Sequence, residues 1–155
     1  MAMFALISLG FILNLLLQAA AAPAFPEGIF SPAELNKIEK AKNINDRIKV
    51  YEKASARIQG NIQAAISKEE FVAVPGTLKL WTLLLEESLK DIEANLKSKK
   101  KSRPLIRYEI QVRKAIAALQ DGKIRTPVDL HDMYDSCLGR ARSVHRGFVE
   151  MLFPP

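Results

Sequence analysis

Four stretches of this chain carry apolar side chains at alternating steps of four and three residues, and this spacing constrains the fold more than any other feature. Because an α-helix has 3.6 residues per turn, such steps place the side chains on one face. The four faces consist of Ile44, Ile48, Tyr51, Ser55, Ile58, Ile62 and Ala65; Leu78, Trp81, Leu85, Ser88 or Leu89, Ile92 and Leu96; Leu105, Tyr108, Val112, Ile116 and Leu119; and Leu130, Tyr134, Cys137, Ala141, Val144, Phe148 and Met151. Each face predicts a helix packed against neighbours.

Helix start and stop signals divide the chain between these faces. Ser31 followed by Pro32 and Glu34 is typical of a capped helix start, and Thr126, Pro127 and Asp129 repeat the pattern. A break near residue 43 predicts a short helix over about 32–42 and a long one over about 44–68. We expect Thr77 to cap the next helix, Pro104 to lie in the first turn of the third and Gly122 to end it.

The predicted fold class is all-α. Four long helices with short links favour an up-down-up-down, antiparallel four-helix bundle, preceded by a short extra N-terminal helix. The same apolar faces also permit a more open helical array. The length of 155 residues suits one domain, which we place at residues 25–155.

The first 24 residues are interpreted as a signal peptide. Residues 3–17 are apolar apart from Ser8, Gly10 and Asn14, and four alanines follow at 19–22. This layout predicts cleavage between residues 21 and 25 and export to a periplasmic or extracellular location. The alternative is an uncleaved membrane anchor, although the apolar run is shorter than the roughly 20 residues that span a bilayer.

Positive charge is concentrated in one stretch of the chain. Between Lys97 and Lys114 there are eight basic residues and one acid, Glu109, while the whole chain carries a net charge of +6. The rest of the chain is therefore close to neutral, and we expect any anionic partner to bind at this basic corner, residues 97–104. The candidate polyanion-binding residues are Lys97, Lys99, Lys100, Lys101, Arg103, Arg107, Arg142 and Arg146.

An antiparallel bundle would give the molecule one basic end. In that arrangement Arg142 and Arg146 approach the basic corner, and so do Lys37, Lys40 and Lys42. A solvated lysine turn that keeps the link between two helices soluble is the alternative interpretation. Sequence-specific binding of nucleic acid is not expected, because Tyr108 is the only aromatic residue in the stretch and belongs to a buried face.

Catalytic and metal-binding patterns are weak in this sequence. His131 and Asp135 are four residues apart and could face one way on a helix, but no third ligand is identifiable. The single cysteine, Cys137, excludes an intramolecular disulfide and lies on a buried face, which favours a packing role. Charged residues such as Glu87, Asp91 and Glu93 are expected on the wet face of their helix.

The function predicted from the sequence is that of an exported, non-catalytic helical protein without a cofactor or bound metal, acting through protein contacts in the cell envelope. The second hypothesis is a module that binds a polyanion or an anionic membrane surface through residues 97–103. The third is a metal-dependent enzyme at His131 and Asp135. The expected partner is an envelope protein or an anionic surface, and the sequence leaves the oligomeric state open.

Overall fold

A computed structural model describes residues 23–97 and 101–155. It contains five α-helices: α1 (Pro32–Glu39), α2 (Ile44–Ser67), α3 (Val74–Asn95), α4 (Arg103–Ile124) and α5 (His131–Leu152). Short 3₁₀ turns, Phe71–Ala73 and Val128–Leu130, precede α3 and α5. The all-α prediction is confirmed. The predicted signal peptide falls almost wholly on residues 1–22, which lie outside the described residues, so it stays a prediction.

The two predicted N-terminal helix starts are confirmed. The Ser31 hydroxyl accepts a hydrogen bond from the Glu34 amide at 3.2 Å, and the Ser31 amide donates to Glu34 Oε2 at 2.8 Å. This reciprocal pair satisfies two amides that a helix start would leave free. Asn43 caps α2 through a hydrogen bond from the Asp46 amide at 3.0 Å, so the chain breaks between α1 and α2 as expected.

Three helix boundaries differ from the prediction. Helix α3 begins at Val74, and Thr77 lies inside it, donating its hydroxyl proton to the Ala73 carbonyl. Helix α4 continues through Gly122 to Ile124, and α5 begins at His131 after a 3₁₀ turn. Thr126 bonds back to the Lys123 carbonyl and does not cap α5. In both links a 3₁₀ turn precedes the helix, where the sequence predicts a capping threonine.

Gly122 lies within α4 because α2 approaches it closely. A Cβ atom at this position would be 3.1 Å from Ile66 Cδ1. A side chain at this position would crowd Ile66 of α2, and the predicted role of Gly122 as a helix end is wrong.

The long helices pair as two antiparallel hairpins. In the first, Tyr51 near the start of α2 bonds to Asp91 near the end of α3, and Ser55 accepts from Trp81 Nε1 at 2.9 Å. In the second, Glu109 of α4 lies 2.7 Å from His145 of α5. We call these pairs hairpin A (α2–α3) and hairpin B (α4–α5).

The hairpins stack side by side with their equivalent helices parallel. Helix α2 packs on α4, and Ser102 donates to Asn45 at 2.6 Å near the start of both helices. Helix α3 packs on α5, and Thr82 Oγ1 lies 3.2 Å from Cys137 Sγ. Over the described residues α3 and α4 do not form a packed pair, although they follow each other in the chain. They lie at opposite corners of one shared core.

The core contains nearly all the side chains of the four predicted faces. All seven members of the first face and all five of the third are buried. Trp81, Tyr51, Tyr108 and Phe148 are fully enclosed and are among the largest buried side chains. Burying aromatic side chains of this size contributes much of the stabilisation of a small helical core.

Several apolar residues outside the predicted faces are buried as well, among them Val50 and Leu84. Val50 is 7 % exposed because α1 packs over this side of α2. Leu84 is fully buried, and a Cβ atom built at Gly28 of the N-terminal lead-in would lie 3.8 Å from Leu80 Cδ2, one turn earlier on the same face. The lead-in and α1 thus give hairpin A a second buried side that the helix periodicity alone did not indicate.

Candidate functional site

The described part of the basic corner joins the ends of several elements. Ser102 caps α4 by accepting a hydrogen bond from the Leu105 amide at 3.2 Å, and its own hydroxyl donates to Asn45 on α2. Lys101 Nζ lies 4.2 Å from the centroid of the Phe153 ring, which is 61 % exposed. Lys99 and Lys100 lie outside the described residues. The start of α4, the start of α2 and the end of α5 therefore meet at one end of the molecule, which we call the basic end.

The remaining candidate residues do not form one cluster. Lys97 and Arg103 are exposed at this end. Arg107 faces α2, where its Nη2 atom lies 3.5 Å from Glu52 Oε2. Arg142 and Arg146 are exposed on α5, and in the described part of the chain neither forms an ion pair. The structure thus distributes the predicted set over two sides of the bundle.

A lysine-lined groove between α1 and α2 was missed by the sequence reasoning. Its volume is about 720 Å³. Its basic lining residues are Lys37, Lys40, Lys42, Lys49 and Lys53. The antiparallel topology predicts that Lys37, Lys40 and Lys42 lie at the basic end, but it does not predict that they line a groove. Lys49 and Lys53 line the opposite wall and are four residues apart on α2, so they share one face of that helix. This spacing, together with the lysines of α1, is the sequence pattern that could have predicted the groove.

The groove keeps a positive charge after its internal ion pairs are counted. Glu34 and Asp46 are its two acidic lining residues, against five lysines. Lys49 Nζ lies 2.8 Å from Asp46 Oδ1, and Glu34 is held by Arg57. The lysines without an acidic partner here are exposed, so they remain available to an anion.

Arg57 of α2 connects to helix α1 through several hydrogen bonds. Its Nε and Nη2 atoms donate to both carboxylate oxygens of Glu34, at 3.0 and 2.8 Å, and Nη2 also donates to the Ile29 carbonyl at 2.9 Å. Burial raises the pKa of Glu34. The hydrogen bonds from Arg57 and from the Ser31 amide together lower it by more than burial raises it, so the pKa lies below its usual 4.5. The carboxylate form of Glu34 therefore stabilises the docked helix.

The suggested metal pair is not assembled. Asp135 accepts two hydrogen bonds from Lys123 Nζ, at 2.6 and 2.7 Å. His131 Nε2 lies 3.2 Å from the Thr126 carbonyl. Within the described residues no group of three or more potential ligands of the His, Cys, Asp or Glu type comes together.

Cys137 and His145 also have structural partners. The Cys137 thiol is 5 % exposed between α5 and α3, and burial raises its pKa although the hydrogen bond from Thr82 opposes this. A high thiol pKa reduces nucleophilicity at neutral pH. His145 Nε2 contacts the Glu109 carboxylate, on a different side of the bundle from Cys137 and α3. The two residues do not form a nucleophile and base pair.

None of the helices in the described ranges combines the length and the apolar character needed to cross a bilayer. No protein-family model matches the chain, and neither a curated protein nor a solved structure matches it. Function has therefore to be inferred from the surface chemistry of the molecule.

Proposed function

We propose that the protein is an exported, non-catalytic helical protein whose basic end binds an anionic surface in the cell envelope. The observation that carries this proposal is the lysine-lined groove between α1 and α2. An up-down-up-down course of the four long helices, supported by the pairing within hairpins A and B, brings the basic corner to the same end. Export rests on the apolar N-terminal sequence.

An anionic membrane surface suits the chemistry of the basic end. Lysines near such a surface each contribute about 1 kcal/mol of attraction. Phe153 and Leu35 add partly exposed apolar side chains, 61 % and 40 % accessible, close to the lysines. Apolar side chains beside basic ones are typical of proteins that bind at the level of lipid headgroups.

Binding to vesicles tests this proposal. We expect residues 23–155 to bind vesicles that contain phosphatidylglycerol, and to release them as salt is added, because exposed charges are screened. Lys40→Glu combined with Lys53→Glu should weaken binding by about thirtyfold or more, since two favourable lysine contacts are lost. The matched control is Lys68→Glu combined with Lys79→Glu, which makes the same charge change on exposed lysines far from the groove.

Two results would contradict the proposal. Equal weakening by both double variants would mean that only net charge matters. Unchanged binding after Lys99, Lys100 and Lys101 are all replaced by glutamate, together with unchanged binding of the Lys40 and Lys53 variant, would exclude the basic end as the binding surface.

Contact with a partner protein is the second candidate function, and a second groove, along α2 and α4 and lined by Ala56, Gly60, Ala115 and Ala118, favours it. A metal-dependent enzyme has no comparable support, because Asp135 is already paired with Lys123.

A further inference from the structure

A second groove runs along the outer side of the parallel pair α2 and α4. The volume of this open groove is about 550 Å³, and its accessible lining surface is mainly apolar. Its small lining residues are Ala56, Gly60, Ala115 and Ala118. A Cβ atom built at Gly60 would meet nothing within 4 Å, so open space lies directly above this position. Small side chains on two neighbouring helices allow a third backbone to approach closely.

A buried amide in this groove lacks a partner. Gln59 is 7 % exposed, and across the described residues neither its Oε1 nor its Nε2 atom makes a hydrogen bond. One turn further along α2, the Nε2 atom of Gln63 also makes no hydrogen bond in the described part of the chain. Its Oε1 atom accepts one from Arg125 at 3.4 Å. Buried amides of native proteins are almost always hydrogen-bonded, because leaving one unsatisfied is costly. The Gln59 amide therefore provides an unpaired donor and an unpaired acceptor in the lining of the groove.

The charges at the rim select the ligand. Arg107 and Lys114 line the groove, and its continuation toward the basic end is lined by Lys49 and Lys53. Glu52 is the only acid among the lining residues of the two parts, and it is already 3.5 Å from Arg107. An occupant is therefore favoured if it carries carboxylates at its edges.

We propose that this groove binds an acidic amphipathic α-helix of a partner protein, with small or apolar side chains against Gly60 and a hydroxyl or amide side chain that bonds to Gln59. This inference specifies the partner class of the second candidate function and does not depend on binding to an anionic surface. A second copy of this chain is a poorer occupant, because the chain itself carries a net charge of +6.

Selection from a library of displayed amphipathic helices tests the inference on residues 23–155. The library randomises the charge of the flanks and the residue at the centre of the apolar face. We expect the selected helices to converge on Asp and Glu at the flanks and on Ser, Thr, Asn or Gln at the centre. A leucine at Gly60 fills the groove, so Gly60→Leu should weaken binding of the selected helices by about tenfold or more.

Matched variants separate the groove from general effects. Gly60→Ala keeps the groove open, and Gly139→Leu places the same side chain at another helical glycine with open space around it, on α5. Both should bind within about threefold of the unmodified protein. Gln59→Leu should remove the preference for a polar central residue and raise the urea midpoint, because it replaces an unsatisfied buried amide by an apolar group.

Three results would overturn the inference. The first is no enrichment above a selection without protein. The second is enrichment of helices whose binding is unaffected by Gly60→Leu. The third is a dimer in sedimentation equilibrium that Gly60→Leu converts to monomer, which would make a second copy the occupant. Vesicle binding by the same variants is measured separately, so failure here is distinguishable from failure at the basic end.

Discussion

At the scale of single residues, Asp91 shows where helix periodicity is insufficient. Its position predicts the wet face of α3, yet it is 7 % exposed. It accepts hydrogen bonds from Arg47 Nε at 2.7 Å, Arg47 Nη2 at 3.0 Å and the Tyr51 hydroxyl at 2.6 Å. Burial together with the Asp91 contact raises the pKa of Tyr51 well above its usual value, so Tyr51 remains a donor. This network fixes the start of α2 to the end of α3.

Replacing Asp91 should therefore be strongly destabilising. We expect Asp91→Asn to lower the free energy of unfolding by about 3 kcal/mol, because it leaves the Arg47 guanidinium buried without its counter-charge. The measurement is urea unfolding followed by Trp81 fluorescence. Glu93→Gln, on the exposed face of the same helix, is the control and should change stability by less than about 0.5 kcal/mol. An equally small effect of Asp91→Asn would refute this role.

The sequence could not have placed Asp91 correctly. Its side chain lies at the edge of an apolar face, next to Ile92, and its partner Arg47 is 44 residues away in the chain. Local spacing identifies which face of a helix is apolar, and in this chain it did so for almost every large side chain. It does not identify a buried ion pair, because that depends on which helices become neighbours.

At the scale of elements, the capping residues of α1 predict where this helix begins, but the apolar pattern does not predict where it packs. Ser31, Pro32 and Glu34 form the expected start. The docking of α1 over Val50, and the groove that results, depend on the ion pair between Glu34 and Arg57 of α2, and no local sequence pattern connects these two residues. The starts of α3 and α5 were displaced for a related reason, since a 3₁₀ turn of three residues resembles an ordinary link in sequence.

The attachment of α1 should depend on pH. Because the folded-state pKa of Glu34 lies below 4.5, its contribution to stability is fully present above pH 4.5 and is lost as pH falls through the folded pKa. We expect Glu34→Gln to be less stable than the unmodified protein by about 1 kcal/mol at neutral pH. The difference should shrink in strongly acidic solution.

Urea midpoints measured over a range of pH provide the check. Glu39→Gln, an exposed position on the same helix, serves as the comparison and should follow the unmodified protein at every pH. If the gap between Glu34→Gln and the unmodified protein were the same at acidic and neutral pH, the Glu34 carboxylate would not be what holds α1.

At the scale of the whole molecule, the two hairpins meet along parallel pairs, and side-chain hydrogen bonds cross between them at several levels of the bundle. Ser55 connects three helices, because it accepts from Trp81 on α3 and donates to Gln111 on α4 at 2.8 Å. Cys137 of hairpin B contacts Thr82 of hairpin A. The all-helical class was predictable from the sequence, but this pairing was not, because the same apolar faces fit several arrangements of four helices.

Cys137 should report the separation of the hairpins. Its thiol is enclosed and its pKa is raised by burial, so a thiol-reactive dye should label the native protein far more slowly than an unfolded chain. In increasing urea we expect labelling and loss of helical circular dichroism to share one midpoint, as for a cooperative small domain. Labelling at a clearly lower urea concentration than helix loss would show instead that the hairpins part first.

The parallel stacking also bears on folding kinetics. The Thr82–Cys137 and Ser55–Gln111 contacts between the hairpins link residues 55 and 56 positions apart, whereas the Trp81–Ser55 contact within hairpin A spans 26. Loop-closure entropy grows only logarithmically, and each doubling of the loop costs about 0.6 kcal/mol. Closing the longer loops therefore costs only slightly more free energy than closing the shorter loop of hairpin A. Loop-closure entropy alone therefore favours hairpin A by less than about 1 kcal/mol, which is compatible with contacts within and between the hairpins forming in one cooperative step.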